Sequence, residues 1–353
     1  MRTFRNALPA LAVLSLAVAA CKGPGSSVAP GGFPACNPCG VPHAQYVVES
    51  DVGNNSLITY NLGTAKIPNS GNLSPTYDVS GASTQLNTPW WIFNDSSSNL
   101  WAANQATSSV TWYSITTNGN KGPTNTISGA NTTFGILGGI TLSQNGTIYA
   151  SDQTAQAIDV FAPGSHGNVA PAARIVGSNT TLGDPLQLAL DKHGNIWIED
   201  ADSTNLGVPT IDEFAAPASG TNNVAPTAQI TSSALVNPLT LYIDDQSHVW
   251  IGDIGGGATS PAILEFTMAA GSQTPLCDIT GSNTTFSSFI GYELEVAVDN
   301  GGYIYEASSG APAINVFLPG SCGNVAPSYT IAGSNTKMAN PGDILVYSTG
   351  NDY

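Results

Sequence analysis

Short runs of alternating apolar and polar residues fill this chain from Gln45 onward, and they return at intervals of about fifty residues. The clearest marker is PLQLALDKHGNIW at 185–197, with copies at 89–101 (PWWIFNDSSSNLW), 137–149 (LGGITLSQNGTIY), 238–250 (PLTLYIDDQSHVW), 293–305 (ELEVAVDNGGYIY) and 341–353 (PGDILVYSTGNDY). Each repeat holds four runs of strand length, as in ITLSQ (140–144), TIYASD (147–152), AIDVFAP (157–163) and ARIVGS (173–178). Gly, Asn and Asp occupy the breaks, which is the chemistry of tight hairpins. The third run pairs an aliphatic residue with an aromatic one three positions on: Leu57/Tyr60, Val110/Tyr113, Ile158/Phe161, Ile211/Phe214, Ile263/Phe266 and Ile314/Phe317. The fourth follows a proline each time, at 75, 123, 171, 226, 275 and 327. No run has the length and period of a helix.

Four antiparallel strands repeated six times cannot bury their apolar faces one unit at a time, and radial stacking about an axis solves this. The expected fold is therefore all-β, a six-bladed β-propeller with four-stranded antiparallel blades. A parallel β-helix would use much shorter rungs. The C-terminal copy supplies an innermost strand (343–348), and the N-terminal part supplies only the other three, at 45–50, 56–61 and 75–80. Together they make one blade, and pairing N- and C-terminal strands in it closes the ring.

The first twenty residues stand apart. Arg2 and Arg5 precede an apolar stretch, Ala7 to Ala20, that is too short to span a bilayer, the layout of an export signal. Val18-Ala19-Ala20-Cys21 resembles the lipobox of bacterial lipoproteins, which implies cleavage before Cys21 and lipid on its sulfur. Lys22 follows where an aspartate would signal inner-membrane retention, so the expected location is the bacterial cell envelope, outer rather than inner membrane. Residues 22–44 are rich in Gly, Pro and Ser with no apolar period. The expected layout is a signal peptide (1–20), a lipidated tether (21–44) and the propeller (45–353), with membrane contact only through the lipid.

Charge narrows the partners. The chain carries 24 Asp and Glu against 8 Lys and Arg, and losing Arg2 and Arg5 with the leader moves the net charge from −16 to −18. That balance argues against nucleic acid or an anionic lipid surface. With Cys21 lipidated, Cys36, Cys39, Cys277 and Cys322 remain as an even set in an oxidising compartment, so disulfides are expected with their connectivity open. The CxxC spacing of Cys36 and Cys39 lacks both the βαβ context of a redox motif and the second pair of a zinc site.

LALDKHGNIWIEDAD (188–202) with IDEFAA (211–216), and VAVDNGGYIYEASSG (296–310) with INVFLPG (314–320), resemble NHL-type repeats, and the likeness extends over roughly 45–353. The resemblance implies a propeller that binds proteins, ligands or nucleic acid. It also admits enzymes, because gluconolactonase-type lactonases and streptogramin lyases are similar propellers. Fold alone does not choose among these.

Alike columns build the unit; unlike columns can carry function. Asp95, Asp191, Asp244 and Asp299 recur just before the inner hairpin and read as turn caps. Trp101, Tyr149, Trp197, Trp250 and Tyr305 share one position and read as packing between blades. The Asn-x-Ser/Thr matches at Asn131, Asn145, Asn179 and Asn283 read as products of repetition. In the innermost strands the fourth residue is always aliphatic (Ile92, Ile140, Leu188, Leu241, Val296, Ile344), whereas the third is Trp91, Gly139, Gln187, Thr240, Glu295 or Asp343. Alternation puts the third residues on the other face, at the mouth of the central channel, and second strands ending there bring Asn104, Asp152, Asp200 and Asp253 near. Such a set suits a cation such as Ca²⁺ or Zn²⁺, or a sugar, or forms a solvated rim. No cofactor is otherwise expected.

His43, His166, His193 and His248 fall outside that mouth, and no GxSxG or HExxH motif is present, so the sequence leans away from an enzyme. A monomeric, lipid-anchored module binding an extracytoplasmic protein or small ligand, carbohydrate included, is the expected function. The alternative is a metal-dependent hydrolase or lactonase drawing on Glu295, Asn104, Asp200 and Asp253.

Overall fold

The computed structural model describes residues 43–64, 68–202, 206–256, 259–286 and 294–348. The expected leader, Cys21, Cys36 and Cys39 lie outside them.

The strands form six separate sheets. Blade 1 runs outward through Pro89–Asn94, Asn99–Asn104, Ser109–Ser114 and Asn125–Ile127. Blade 2 follows with Leu137–Leu142, Ile148–Asp152, Ala157–Phe161 and Ala173–Val176, and blade 3 with Pro185–Leu190, Ile196–Asp200, Thr210–Phe214 and Ala228–Thr231. Blade 4 comprises Pro238–Ile243, His248–Asp253, Ala262–Thr267 and Cys277–Thr280; blade 5 comprises Leu294–Val298, Ile304–Ser308, Ala313–Phe317 and Tyr329–Ala332. Blade 6 is the composite one. Its inner strand Pro341–Tyr347 pairs antiparallel with Tyr46–Asp51, followed by Ser56–Asn61 and Tyr77–Val79. The ring therefore closes as the sequence predicts. His43 and Ala44 are buried, and Ala44 N–H donates to Asp299 Oδ2 at 2.7 Å.

The core consists of wedges between blades rather than one central mass. One wedge joins Tyr149, Ile158, Val160 and Ile175 of blade 2 to Leu188, Ile196, Ile198 and Phe214 of blade 3. All six aliphatic/aromatic pairs of the third strands are buried to 1% exposure or less, so each such side chain contributes about 1.5–3 kcal/mol by leaving water. Each recurrent proline stands one residue ahead of the ladder's first bond, as where Ala172 N–H donates to Val160 O and Ser328 N–H to Val316 O. A missing N–H is harmless there.

The recurrent aspartates and aromatics form one device. Asp95 Oδ1 accepts the backbone N–H of Ser97 and Asn99, and its Oδ2 accepts Trp101 Nε1–H at 2.8 Å. Asp244 repeats this with Gln246, His248 and Trp250, and Asp299 with Gly301, Tyr303 and the Tyr305 hydroxyl. One carboxylate thus caps the turn and orients the ring that packs beside it.

Outer edges are guarded by the following blade. Gly220–Asn222 of blade 3 pairs in parallel with the outer strand of blade 2, and Gly271–Ser272 of blade 4 does so with blade 3, adding a fifth strand to the predicted four. Single contacts do the same elsewhere, including Gly167 against Ile127 and Gly71 against Ile331. No outer strand is left as an open template for pairing. A side-chain latch accompanies the strap at five seams: Ser83, Asn131, Asn179, Asn283 and Asn335 donate their N–H to Oδ1 of Asn120, Asn168, Asn223, Asn324 and Asn72 on the next blade, at 2.7–2.8 Å. The glycine two residues earlier is obligatory. At Gly129, φ is +120° and a Cβ would lie 2.6 Å from the Asn168 side chain. Three of the four Asn-x-Thr matches are these latch residues, and Asn145 caps a hairpin by accepting Thr147 N–H. The seam between blades 3 and 4 has Ser232-Ser233-Ala234 instead and lacks the latch. Between blades 4 and 5 the disulfide Cys277–Cys322 supplements it.

Candidate functional site at the channel mouth

Inner strands start, and second strands end, at one face of the ring. In the five blades whose inner strand is described from its first residue, that residue opposes the last residue of the second strand and the register then slips: Pro89 opposes Asn104, Leu137 Asp152, Pro185 Asp200, Pro238 Asp253 and Pro341 Asp51. A bulge at that point re-aims the residues following it. The third-column residues are thereby turned into the axis.

They fill it. Gln187 Nε2 lies 3.3 Å from Asp343 Oδ2 and 3.5 Å from Oδ1. Blades 3 and 6 stand opposite each other in a ring of six, so this contact spans the channel. Gln187 Oε1 accepts Leu241 N–H of blade 4 at 2.9 Å, and Asp343 Oδ2 accepts Ile92 N–H of blade 1 at 2.8 Å. Asp343 Oδ1 accepts Ile344 N–H, while Asp343 N–H donates to Ser50 Oγ, which itself donates to Trp90 O. Four blades are tied through two side chains. Trp91, Thr240, Glu295 and Asp343 are all buried, and only Gln187 is partly exposed. Gln187 and Asp343 meet across the axis, and with the buried Trp91, Thr240 and Glu295 beside them they act as a plug where a solvated rim was one of the readings. Burial pushes the Asp343 carboxyl up to about 7 against the lowering effect of its N–H partners.

The carboxylates ending the second strands face the loops that enter the inner strands. Asp152 Oδ2 accepts Gly135 N–H at 2.7 Å, and Oδ1 accepts Ala155 N–H. Asp200 accepts Gly183 and Asp184, Asp253 accepts Val236, Asn237 and Gly255, and Asp51 accepts Asn54, Ala339 and Asn340. Asn104 does the same for Asn87 N–H through its Oδ1. These groups are nearly inaccessible to solvent, and burial raises the carboxyls of Asp200 and Asp253 despite their N–H donors. The geometry gives them an anchoring role.

Two further features mark this face. Glu199 is fully buried with neither carboxylate oxygen hydrogen-bonded, and its pKa stands well above the usual range through burial first and then the charges of Asp200, Asp184, Asp253 and Asp212. The other copies carry Ser50, Ala103, Ser151, Gly252 and Ala307 at that position. All are small because the position abuts the next blade: Ser151 Oγ–H donates to Leu186 O, and a Cβ on Gly252 would collide with Leu294 O. One large acid in a small column is a signal that sequence contains. The second feature is apolar exposure. Ile136, Leu206, Val208 and Val236 are 36–47% exposed and sit in loops at this same end of blades 2, 3 and 4. Leu206, Val208 and Val236 belong to the two blades whose shared seam lacks a latch.

No protein-family model matches the chain, and no curated protein does. Solved structures resemble it. One from a nidogen/laminin complex is 17% identical, covering 85% of this chain and 97% of that chain with a TM-score of 0.58. A protein of unknown function from Bacteroides caccae is 8% identical, covering 86% and 98% with a TM-score of 0.54. A proposed 6-phosphogluconolactonase from Bacteroides fragilis is 14% identical, covering 86% and 85% with a TM-score of 0.51. At these identities the likeness is one of fold. The class is the six-bladed β-propeller.

Proposed function

We propose that this protein is a binding module of the bacterial envelope, lipid-anchored through Cys21, whose mouth face docks an extracytoplasmic protein. The observation that carries the reading is the arc of Ile136, Leu206, Val208 and Val236, four apolar side chains exposed on one face of adjacent blades. Isolated exposed apolar residues need no explanation, but a run of them on one face of a rigid scaffold suits an interface. The plug of Gln187, Asp343, Trp91, Thr240 and Glu295 gives that surface a firm floor, and a ligand reaching it would meet Gln187 first. A small ligand such as a carbohydrate is the lesser form of the same reading.

The metal-dependent lactonase reading finds less support. Asp152, Asp200 and Asp253 hold backbone N–H groups, and a cation drawing on them would release the loops they anchor. Photocrosslinking in intact cells separates the readings. A photoreactive residue at position 208 should give a discrete protein adduct that is lost with Leu206→Asp, while one at position 193, at the other end of the channel, should not. The same adducts from both positions would defeat the docking proposal. Lactone turnover dependent on Ca²⁺ or Zn²⁺ and abolished by Asp343→Asn would establish the enzyme instead.

A further inference from the structure

We propose a binding site for a zinc-type divalent cation at the opposite end of the channel, formed in blade 4 by Asp244, His248 and Glu265. His248 opens the second strand, and Glu265 lies on the third strand opposite Trp250. His248 Nδ1 is 2.7 Å from Glu265 Oε1 and 3.7 Å from Asp244 Oδ2, and the three potential ligand atoms lie within 4.8 Å of one another. The two carboxylate side chains are 7% and 6% exposed, and the imidazole is 17% exposed, which leaves one side open to water.

The repeat supplies its own control. At the same station blade 3 has Asp191, Asn195 and Glu213, where Asn195 Nδ2 donates to Asp191 Oδ2 at 3.0 Å and to Glu213 Oε1 at 2.8 Å. An amide NH₂ carries two hydrogens and serves two carboxylates at once. A single imidazole nitrogen carries at most one. Blade 1 has Asp95 and Asn99 but Trp112 in the glutamate position, and blade 5 has Asp299 and Tyr303 with Val316. Among the described residues, blade 4 alone therefore brings two carboxylates to a nitrogen that can act as a metal ligand.

One imidazole nitrogen and two carboxylate oxygens suit zinc or a similar borderline ion better than Ca²⁺, which prefers an all-oxygen shell. Bonds of about 2.0–2.2 Å would require the ligand atoms to shift by about 1 Å or less, within the reach of side-chain torsions. Asp244 can keep its turn bonds, because Oδ1 holds the two backbone N–H groups and Oδ2 has a lone pair beyond that facing Trp250 Nε1.

The test is ZnCl₂ titration of the EDTA-treated, dialysed full chain by calorimetry, with Co²⁺ absorption as a spectroscopic check. His248→Asn restores the blade 3 arrangement and should fold normally; Glu265→Gln keeps size and hydrogen bonding. Saturable binding of one equivalent by the wild type, weakened at least tenfold in both variants at unchanged thermal midpoints without metal, is the expected result. No saturable binding by the wild type, or either variant binding as tightly as the wild type, overturns the site. Because the cluster and the mouth lie at opposite ends of the blades, this outcome is independent of the docking surface.

Discussion

The two ends of the channel are built from the same repeat, yet they use repetition differently. At the hairpin end, Asp95, Asp244 and Asp299 perform one task in different blades: each caps a turn and holds an aromatic ring. At the mouth end, the anchoring column of Asp51, Asp152, Asp200 and Asp253 is just as regular, but the adjoining columns diverge into Gln187, Asp343 and Glu199. Carboxylates at either end are structural wherever they point at backbone N–H groups. They become candidates for something else only where a neighbour departs from the repeat.

The comparison breaks most sharply at Asp299. Asp299→Ala removes acceptors for Ala44, Gly301, Tyr303 and the Tyr305 hydroxyl, and should lower stability by about 2–4 kcal/mol in urea unfolding with little change in slope. Glu199→Ser should act in the opposite direction. It restores the small residue of the other copies and removes a buried acid without hydrogen bonds, so the midpoint at pH 7.5 should rise by an amount equivalent to about 1–3 kcal/mol. A loss of stability there would mean that Glu199 has a partner worth finding.

Acidity provides a third test. Burial holds Asp343 at about 7, Asp212 at about 7 and Glu306 at about 8, all above their unfolded values. The native state then binds these protons more tightly than the unfolded chain, so their contribution is fullest below pH ~4 and is lost as pH rises through 7 to 8. Melting of the wild type should weaken over that window, by at most about 4 kcal/mol per group. Asp343→Asn should flatten the segment between about pH 4 and 7, and Glu306→Gln the segment extending to about pH 8. An unchanged profile in both variants would show that these carboxyls titrate normally. The smallest effect belongs to the apolar arc: Leu206→Asp and Val208→Asp should move the melting midpoint by no more than about 0.5 kcal/mol equivalent while removing the crosslinked adduct.

The fold was legible because each column returns six times. Period, proline placement, the Leu57/Tyr60-type pairs and the division of blade 6 between the termini all follow from residues that repeat. The mouth was legible only in part. Alternation identifies the third column, but the Gln187–Asp343 contact depends on the diameter of the ring and on the bulges, which are properties of the assembled circle. The loops tied down by Asp152, Asp200 and Asp253 lie seventeen residues earlier, a relation set by the pairing of inner and second strands within each blade. Exposure of Ile136 and Val236 was hidden for a simpler reason: both abut inner strands whose apolar residues are buried or half-buried. Glu199, in contrast, was visible as the one large acid in a column of small residues, and His248 as the one imidazole at a station that otherwise reads Asn99, Thr147, Asn195 and Tyr303.

The composite blade also has a temporal consequence. Gln45 and Ser348, which share a hydrogen bond beside the closing strand pair, are 303 residues apart. A chain emerging from its amino end can complete blades 1 to 5 from local hairpins, but Tyr46–Asp51 must wait for Pro341–Tyr347 before its inner edge is covered. Until then the strand offers unpaired N–H and C=O groups to any passing chain, and the long loop to be closed makes this a slow step. The interval between exposure of the first strand and arrival of the last is thus the period in which this protein is most open to misassembly, and the stage at which a chaperone would have most to protect.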